Sequence, residues 1–501
     1  MIGAEKRRQL APVRRPIDLD LRPVGFVLGL LLLIVAGFML VCLVVDLIAQ
    51  DGNARGFAAA LLVTVFVAVN LILMTRFGSV QADIDRRQAF LLTASVWVTL
   101  CLFAALPFWL SSVDVSFTDS VFESMSGLTT TGATIMVGLD TAPSGLLLWR
   151  AMLNWLGGIG IVVLGIAILP MLSVGGMQIF RTESSDQSEK VLPRVAQIAS
   201  ATGVVYVSFT AVCAMLYIAG GMSTFDAICH AMTTLSAGGF ANYDASFALF
   251  QNPTIEWTGT VFMIAAAMPF VLYIRFLRGD RQSVLRDSQV RWFFGILLTL
   301  WTIGATWLIL HDGIPASVAL RQTAFNMTSV LTGTGFATYD YTLWGPFLTT
   351  VIFFAMFCGG CSGSATGGIK MFRFAVLAAV VRSQAQRLIH PHGVFVPLIN
   401  RRPVPDNVAL SVMGFFFLFL LTFAIATVAL SFMGLGFVTA ASAAAAALAN
   451  VGPGLGEMIG PAGNFKPLPD PAKWILTFVM LLGRLEIFTI VVLFTPRFWR
   501  N

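Results

Sequence analysis

Residues 24–49 read VGFVLGLLLLIVAGFMLVCLVVDLIA, with one carboxylate in a stretch long enough to cross a ~30 Å hydrocarbon core as a helix. Runs of this kind recur to the end of the chain. In hydrocarbon every backbone amide and carbonyl needs a partner inside the protein, which restricts spanning chains to helices or closed barrels. The runs are long and lack period-two alternation, so they predict helices. Only 11% of the residues are charged, against roughly 25% in soluble proteins. A chain so poor in charge cannot cover itself for water, and an integral membrane protein is expected. The opening MIGAEKRRQLAPVRRPIDLD is polar and basic for its whole length, unlike a cleaved signal peptide.

A basic segment at 1–23 is followed by two spans within 24–76. A pattern then repeats four times, at 89–172, 194–278, 290–382 and 405–496. Each copy has a full span, a segment of about a dozen residues, a glycine-containing stretch and another full span. The short segments lie near 116–128, 224–236, 316–331 and 436–449. They are too short to cross the bilayer and are expected to be re-entrant. Irregular backbone at that depth must be buried in protein or line a watery cavity. Twenty-five of the 31 lysines and arginines fall on one side if the N-terminus is cytoplasmic. Arg55, Arg150, Arg321, Lys466 and Lys473 are left outside, and Arg484 lies inside a span. The positive-inside rule then puts both termini in the cytoplasm and all four short segments at the outer face. The net charge of +6 reflects this bias and not a nucleic-acid surface.

The short segments align without gaps on Gly132, Gly239, Gly335 and Gly452, each with a leucine four residues earlier: Leu128, Leu235, Leu331 and Leu448. A short helix followed by Gly/Thr-rich extended chain can aim backbone carbonyls at an axis. Four such chains form an oxygen ring that replaces the hydration shell of a monovalent cation. Glycine tolerates φ > 0 and lets the backbone approach closely, and helix C-termini directed at the ion favour positive charge. Asp140, Asp244, Asp340 and Glu457 follow the glycines and are expected to concentrate cations at the outer mouth.

Several stretches now carry a specific likeness: SGLTTTGAT (126–134), NWLGGIGIVVL (154–164), TTLSAGGF (233–240), LTGTGFATYDY (331–341), FCGGCSGSATGGIKMFR (357–373), NVGPG (450–454) and LLGRLEIFTIVVLF (481–494). Together they resemble the Trk/Ktr/HKT superfamily of potassium transporters, and within it the bacterial TrkH/TrkG-type subunit. The resemblance implies an all-α polytopic membrane protein. Four membrane–pore-loop–membrane repeats would surround a single pore, with two extra N-terminal transmembrane helices. It implies potassium uptake, as channel or symporter, in the inner (plasma) membrane of a bacterium, with no enzymatic chemistry and no cofactor beyond K⁺ as the transported ion. The filter would comprise Thr130, Thr131, Gly132, Ala237, Gly238, Gly239, Gly333, Thr334, Gly335, Asn450, Val451 and Gly452. In some plant relatives a serine replaces the first of these glycines and Na⁺ is preferred; Gly132 favours K⁺, with a Na⁺-permeable or Na⁺-coupled transporter as the alternative. Relatives form homodimers regulated by a cytosolic nucleotide-binding (TrkA-like) subunit, so such partners are implied.

The stretch 359–370, GGCSGSATGGIK, cannot sustain a helix, because each glycine weakens one by roughly 1 kcal/mol relative to alanine. It predicts a span that is helical to about Phe357, broken, and helical again from about Gly368. By resemblance this is an intramembrane gate beneath the filter, comprising Gly359, Gly360, Gly363, Ser364, Gly367, Gly368 and Lys370, with Arg484 as its basic partner. Arg484, in an otherwise apolar run, is expected to reach the carbonyls of the loop or to line the cavity as an electrostatic barrier. Glu486 is two residues on, and so a poor partner within the helix. The Cys358-Gly-Gly-Cys361 spacing raises a membrane-embedded redox or metal enzyme, but no second cysteine pair or histidine cluster accompanies it.

Overall fold

The computed structural model describes residues 20–76, 85–167, 191–400 and 402–500. Residues 1–19, Arg181, Lys190 and the end of the expected span 145–172 lie outside them. The described chain is mostly helical; its one sheet is a short hairpin, β1 (Leu398–Ile399) and β2 (Arg402–Pro403).

Seven helices among the described residues are long and apolar enough to cross a membrane. In chain order, α1 (Arg22–Ala49), α2 (Ala54–Thr75) and α3 (Arg86–Ala104) precede the short α4 (Phe117–Leu128). Helices α5 (Ser144–Ala167), α6 (Val191–Ala219) and the short α7 (Thr224–Leu235) follow. The chain continues through α8 (Pro253–Ala267), α9 (Phe270–Leu277), α10 (Ser288–Leu310) and the short α11 (Ala316–Leu331). It goes on through α12 (Gly345–Ala355), α13 (Met371–Ile389), α14 (Asp406–Phe432), the short α15 (Phe437–Ala449), α16 (Asp470–Arg484) and α17 (Ile487–Val491), and ends with a single helical turn at Pro496–Arg500.

The short helices start and stop for visible reasons. Ser116 and Ser223 cap α4 and α7, each accepting from the amide three residues on, Asp119 and Asp226. A twelve-residue helix is only about 18 Å long. Residues Ser120–Leu128 of α4 and Ala440–Ala449 of α15 are buried throughout, so these helices sit in protein and not in lipid. The alanine run of α15 lets neighbouring backbones approach closely.

Two expected full spans are instead broken. The run 256–277 bends by 93° between α8 and α9, where Pro269 lacks an amide proton and forces Met268 into an extended conformation. The run 472–495 bends by 109° between α16 and α17, with Glu486 at φ +61°. The third break is wider than the sequence suggests: α12 ends at Ala355 and α13 begins at Met371.

A ring of four helix ends and the loop beneath it

All four short helices end in the same way. The amides of Thr130, Ala237, Gly333 and Asn450 donate three residues back, to Gly127, Thr234, Val330 and Ala447. Those of Thr131, Gly238, Thr334 and Val451 donate five residues back, to Ser126, Thr233, Ser329 and Ala446, over 2.8–3.0 Å. This pair of bonds is a Schellman cap, and its turning residue must be left-handed. Thr130, Ala237, Gly333 and Asn450 accordingly have φ of 51°, 52°, 70° and 54°. The glycine two residues later is left-handed again in each loop, at 82°, 71°, 85° and 102°.

The four caps interlock as a closed circuit. A Cβ built on Gly132 would strike the carbonyl oxygen of Gly238. One on Gly239 would strike that of Thr334, one on Gly335 that of Val451, and one on Gly452 that of Thr131. Each glycine thus lies against the carbonyl of the residue that precedes the next loop's glycine. The order runs first loop to second, third, fourth and back to first. The carbonyls of those four residues, and of the four left-handed residues before them, accept no hydrogen bond from any described residue. Buried carbonyls left unpaired in this way are uncommon, and eight of them occur on these four interlocked loops.

The walls differ in how they are buttressed. In the first and third loops, paired hydroxyls brace the strand: Thr129 with Thr131, and Thr332 with Thr334, each 2.8 Å apart. In the second, Gly238 lacks a side chain because that of Asn154 fills its place. In the fourth, the Asn450 side-chain Nδ2 donates to Thr131 Oγ1 (2.9 Å) and to the Met480 carbonyl (3.1 Å), tying the last loop to the first. Asn450→Ala is expected to lower stability by about 1–2 kcal/mol, since it removes the side-chain bonds to Thr131 and to the Met480 carbonyl and replaces a good left-handed residue. Thermal unfolding in detergent checks this. From behind, Gly157 and Gly483 allow α5 and α16 to press against the carbonyls of Leu128 and Leu448.

Arg150, counted above among outer charges, is instead 1% exposed. Its Nε donates to Glu123 Oε1 at 2.8 Å and its Nη1 to the Ala241 carbonyl at 2.6 Å, while its guanidinium lies 4.2 Å from the Phe240 ring centre. Glu123, fully buried, also accepts from the Ile135 amide and the Thr134 hydroxyl. This pair therefore bolts the first loop to the second. Lys473 is likewise buried and bridges to Asp119 on α4 at 2.6 Å.

Of the acids expected at the outer mouth, Asp140, Asp244 and Glu457 are exposed. Asp244 accepts from the amides of Gly138 and Leu139 (2.8 and 3.2 Å), linking the first two loops. Asp340 accepts from Thr342 at the start of the next turn.

Residues 356–370 lie beneath the ring. A Cβ on Gly367 would strike the Ala449 carbonyl and the Asn450 side chain, at the base of the fourth loop. The loop is pinned by the elbow between α8 and α9: Cys361 and Ala365 amides donate to the Ala267 and Ala266 carbonyls (2.9 and 3.2 Å), and the Phe270 amide donates to the Gly363 carbonyl (3.1 Å). Gln289 Oε1 accepts from the Ser362 amide at 2.9 Å. Arg484 donates to the Ala365 carbonyl (3.1 Å) and to the Gly157 carbonyl (3.3 Å), bridging the loop to α5. Lys370 Nζ turns back onto the Thr366 carbonyl. Glu486, unsuited to pair within its own helix, forms a buried ion pair with Arg373 of α13, whose guanidinium stacks 3.7 Å from the Phe415 ring centre. Lys370, Arg373, Arg484 and Glu486 share one cavity under the loop. Cys358 and Cys361 are free thiols within the loop's packing, and no group of three metal-ligating residues occurs among the described residues.

A mostly helical membrane protein in which four buried helix ends interlock in a circuit of unpaired carbonyls is compatible with a cation pathway. The sequence model of TrkH, a cation transport protein family, matches residues 56–501, and the chain belongs to that family. Its family is one of transporters, and the chain is not an enzyme. It is 48% identical to the Trk system potassium uptake protein TrkI of Halomonas elongata, covering 98% of this chain and 100% of that one. It is 37% identical to the Trk system potassium uptake protein TrkH of Escherichia coli, over 96% and 99% of the two chains. The crystal structure of the potassium transporter TrkH from Vibrio parahaemolyticus superposes with a TM-score of 0.89 at 35% identity, covering 96% of this chain and all of that one.

Proposed function

We propose that the chain carries K⁺ across the membrane through the ring of residues 130–132, 237–239, 333–335 and 450–452, in potassium uptake. The observation that carries the reading is the set of eight unpaired carbonyls on four interlocked Schellman caps. A cation shedding its water needs oxygens that are already in place and not claimed by another donor. The caps supply them, because each cap's own amides are used up in holding the turn. The negative ends of four buried helices add to the attraction.

The loop 359–368, with Lys370 and Arg484, serves as the gate beneath that site. Passage requires residues 361–367 to leave the base of the fourth loop, and the positive charge of Arg484 opposes a cation below the ring. At an effective dielectric of about 20, two unit positive charges about 8 Å apart repel by roughly 2 kcal/mol. Arg484→Ala is therefore expected to raise basal cation flux by about thirtyfold. Unaltered flux and unaltered activation would exclude a barrier role for this side chain.

The exposed acids at the mouth raise local cation concentration. The family likeness and the term "Trk system" in relatives' names support action with other subunits: a second copy and a cytosolic nucleotide-binding regulator. The basic bias of the loops supports an inner-membrane setting with cytoplasmic termini. Uptake of ⁸⁶Rb⁺ into proteoliposomes, with the regulator supplied and with K⁺ and Na⁺ as competitors, tests the central proposal. K⁺ should compete far better than Na⁺; absence of any cation flux refutes it.

A further inference from the structure

Away from the ring, α10, α13 and the β1–β2 hairpin enclose an open cavity of about 730 Å³. One end is polar: Ser288, Arg291, Arg382 and Asn400 line it. Arg291 and Arg382 are exposed and form no ion pair among the described residues, although Asp287 stands next to Ser288 and its carboxylate accepts from the Gln289 amide. Ser288 Oγ is buried and has no hydrogen-bond partner. Asn400 accepts from the Ser288 amide at 2.9 Å, which fixes the hairpin across the first turn of α10.

The other end is apolar. Trp292, Gly295, Ile296, Thr299 and Leu300 recur along one face of α10, opposite Ala375 of α13. Gly295 leaves the middle of this face open, for a Cβ there would meet nothing within 4 Å. From Ser288 to Leu300 the groove follows a spanning helix for about 18 Å, into the depth of the hydrocarbon. Trp292 stands between the two ends, where indoles favour the membrane interface.

We infer that this cavity binds an anionic phospholipid, with its phosphate on Arg291, Arg382 and Ser288 and one acyl chain lying along α10 over Gly295. Arg291 and Arg382 hold no salt bridge among the described residues; Asp287 lies near enough to Arg291 to attract it, and a single carboxylate leaves this end of the cavity with an excess of positive charge that calls for a negative ligand. The apolar half runs at a depth that a segment of a water-soluble partner does not reach, which selects a lipid over an acidic peptide. A bound lipid would brace α13 directly after the loop that precedes it. The inference rests on the membrane fold and not on the ion-transport proposal, and its test does not measure flux.

The full chain is reconstituted in phosphatidylcholine nanodiscs containing a low mole fraction of phosphatidylglycerol or phosphatidylcholine brominated on its acyl chains. The contribution of Trp292 is isolated by comparison with Trp292→Phe. Brominated phosphatidylglycerol is expected to quench that component several-fold more strongly than brominated phosphatidylcholine at equal mole fraction. Arg291→Gln/Arg382→Gln should abolish the preference, and Arg291→Lys/Arg382→Lys should retain much of it. Millimolar inorganic phosphate should leave the quenching in place, since the headgroup alone forfeits the groove. Equal quenching by the two lipids, no quenching by either, or a preference that survives loss of both charges overturns the inference.

Discussion

Gly239→Ala is expected to abolish discrimination between K⁺ and Na⁺ and to lower Rb⁺ uptake by at least about a hundredfold, equivalent to roughly 2.7 kcal/mol in the barrier. Two effects coincide at this position. The residue has φ +71°, which costs an L-amino acid with a Cβ roughly 1–2 kcal/mol. The added Cβ would also overlap the Thr334 carbonyl oxygen. A backbone oxygen cannot rotate away as a side chain can, so the third loop must move, and it is locked in turn against Val451. One methyl group therefore disturbs the circuit and not a single wall. Gly221→Ala separates the two effects: Gly221 has φ +100° but open space around its Cβ position. That variant should lose about 1 kcal/mol of stability while keeping its selectivity. Wild-type K⁺/Na⁺ competition in Gly239→Ala, with the protein monodisperse, would remove Gly239 from the ion path.

Breaking the Glu123–Arg150 pair should have the largest effect on stability. Glu123→Gln leaves a guanidinium 1% exposed with no counter-charge, a situation that typically costs 3–5 kcal/mol. Arg150→Met strands the carboxylate by a similar amount. The double variant Glu123→Gln/Arg150→Met removes both charges and should recover much of the loss, because the desolvation cost disappears with them. Thermal unfolding of the four proteins forms a double-mutant cycle. Independent, additive losses would mean that the two side chains do not act as a pair. Even where the double variant folds, Ala241 loses its anchor two residues after Gly239, so K⁺ competition should weaken.

The register of the ring is legible in the sequence because its cause is local. A Schellman cap spans only a few residues, and the leucine-to-glycine spacing counts them out identically in four places. The third break is legible for the same reason, since GGCSGSATGG cannot hold a helix wherever it lies. What was missed depends on partners distant in the chain. Arg150 looks like a topological charge until Glu123, Thr134 and Ala241 surround it. Lys473 finds Asp119 across most of the sequence. The elbow at Met268–Pro269 has a local signal in its proline, set inside a run apolar enough to span. The bend at Leu485–Glu486 has neither glycine nor proline, and the sequence around it predicts an unbroken helix. Arg373, on another helix, stabilises it by drawing Glu486 out of register.

The elbow at 266–270 and the loop at 361–365 each hold what the other lacks. Two carbonyls at the end of α8 and one amide at the start of α9 are left over by the bend, and the loop supplies two amides and one carbonyl. Neither discontinuity is tolerable alone in a dry interior, where each stranded group costs several kcal/mol. Loop departure therefore strands them at once unless solvent arrives to replace the lost partners. Under the proposed gating, wetting and opening are one event: water would be a component of the conducting conformation, and its loss would favour closure.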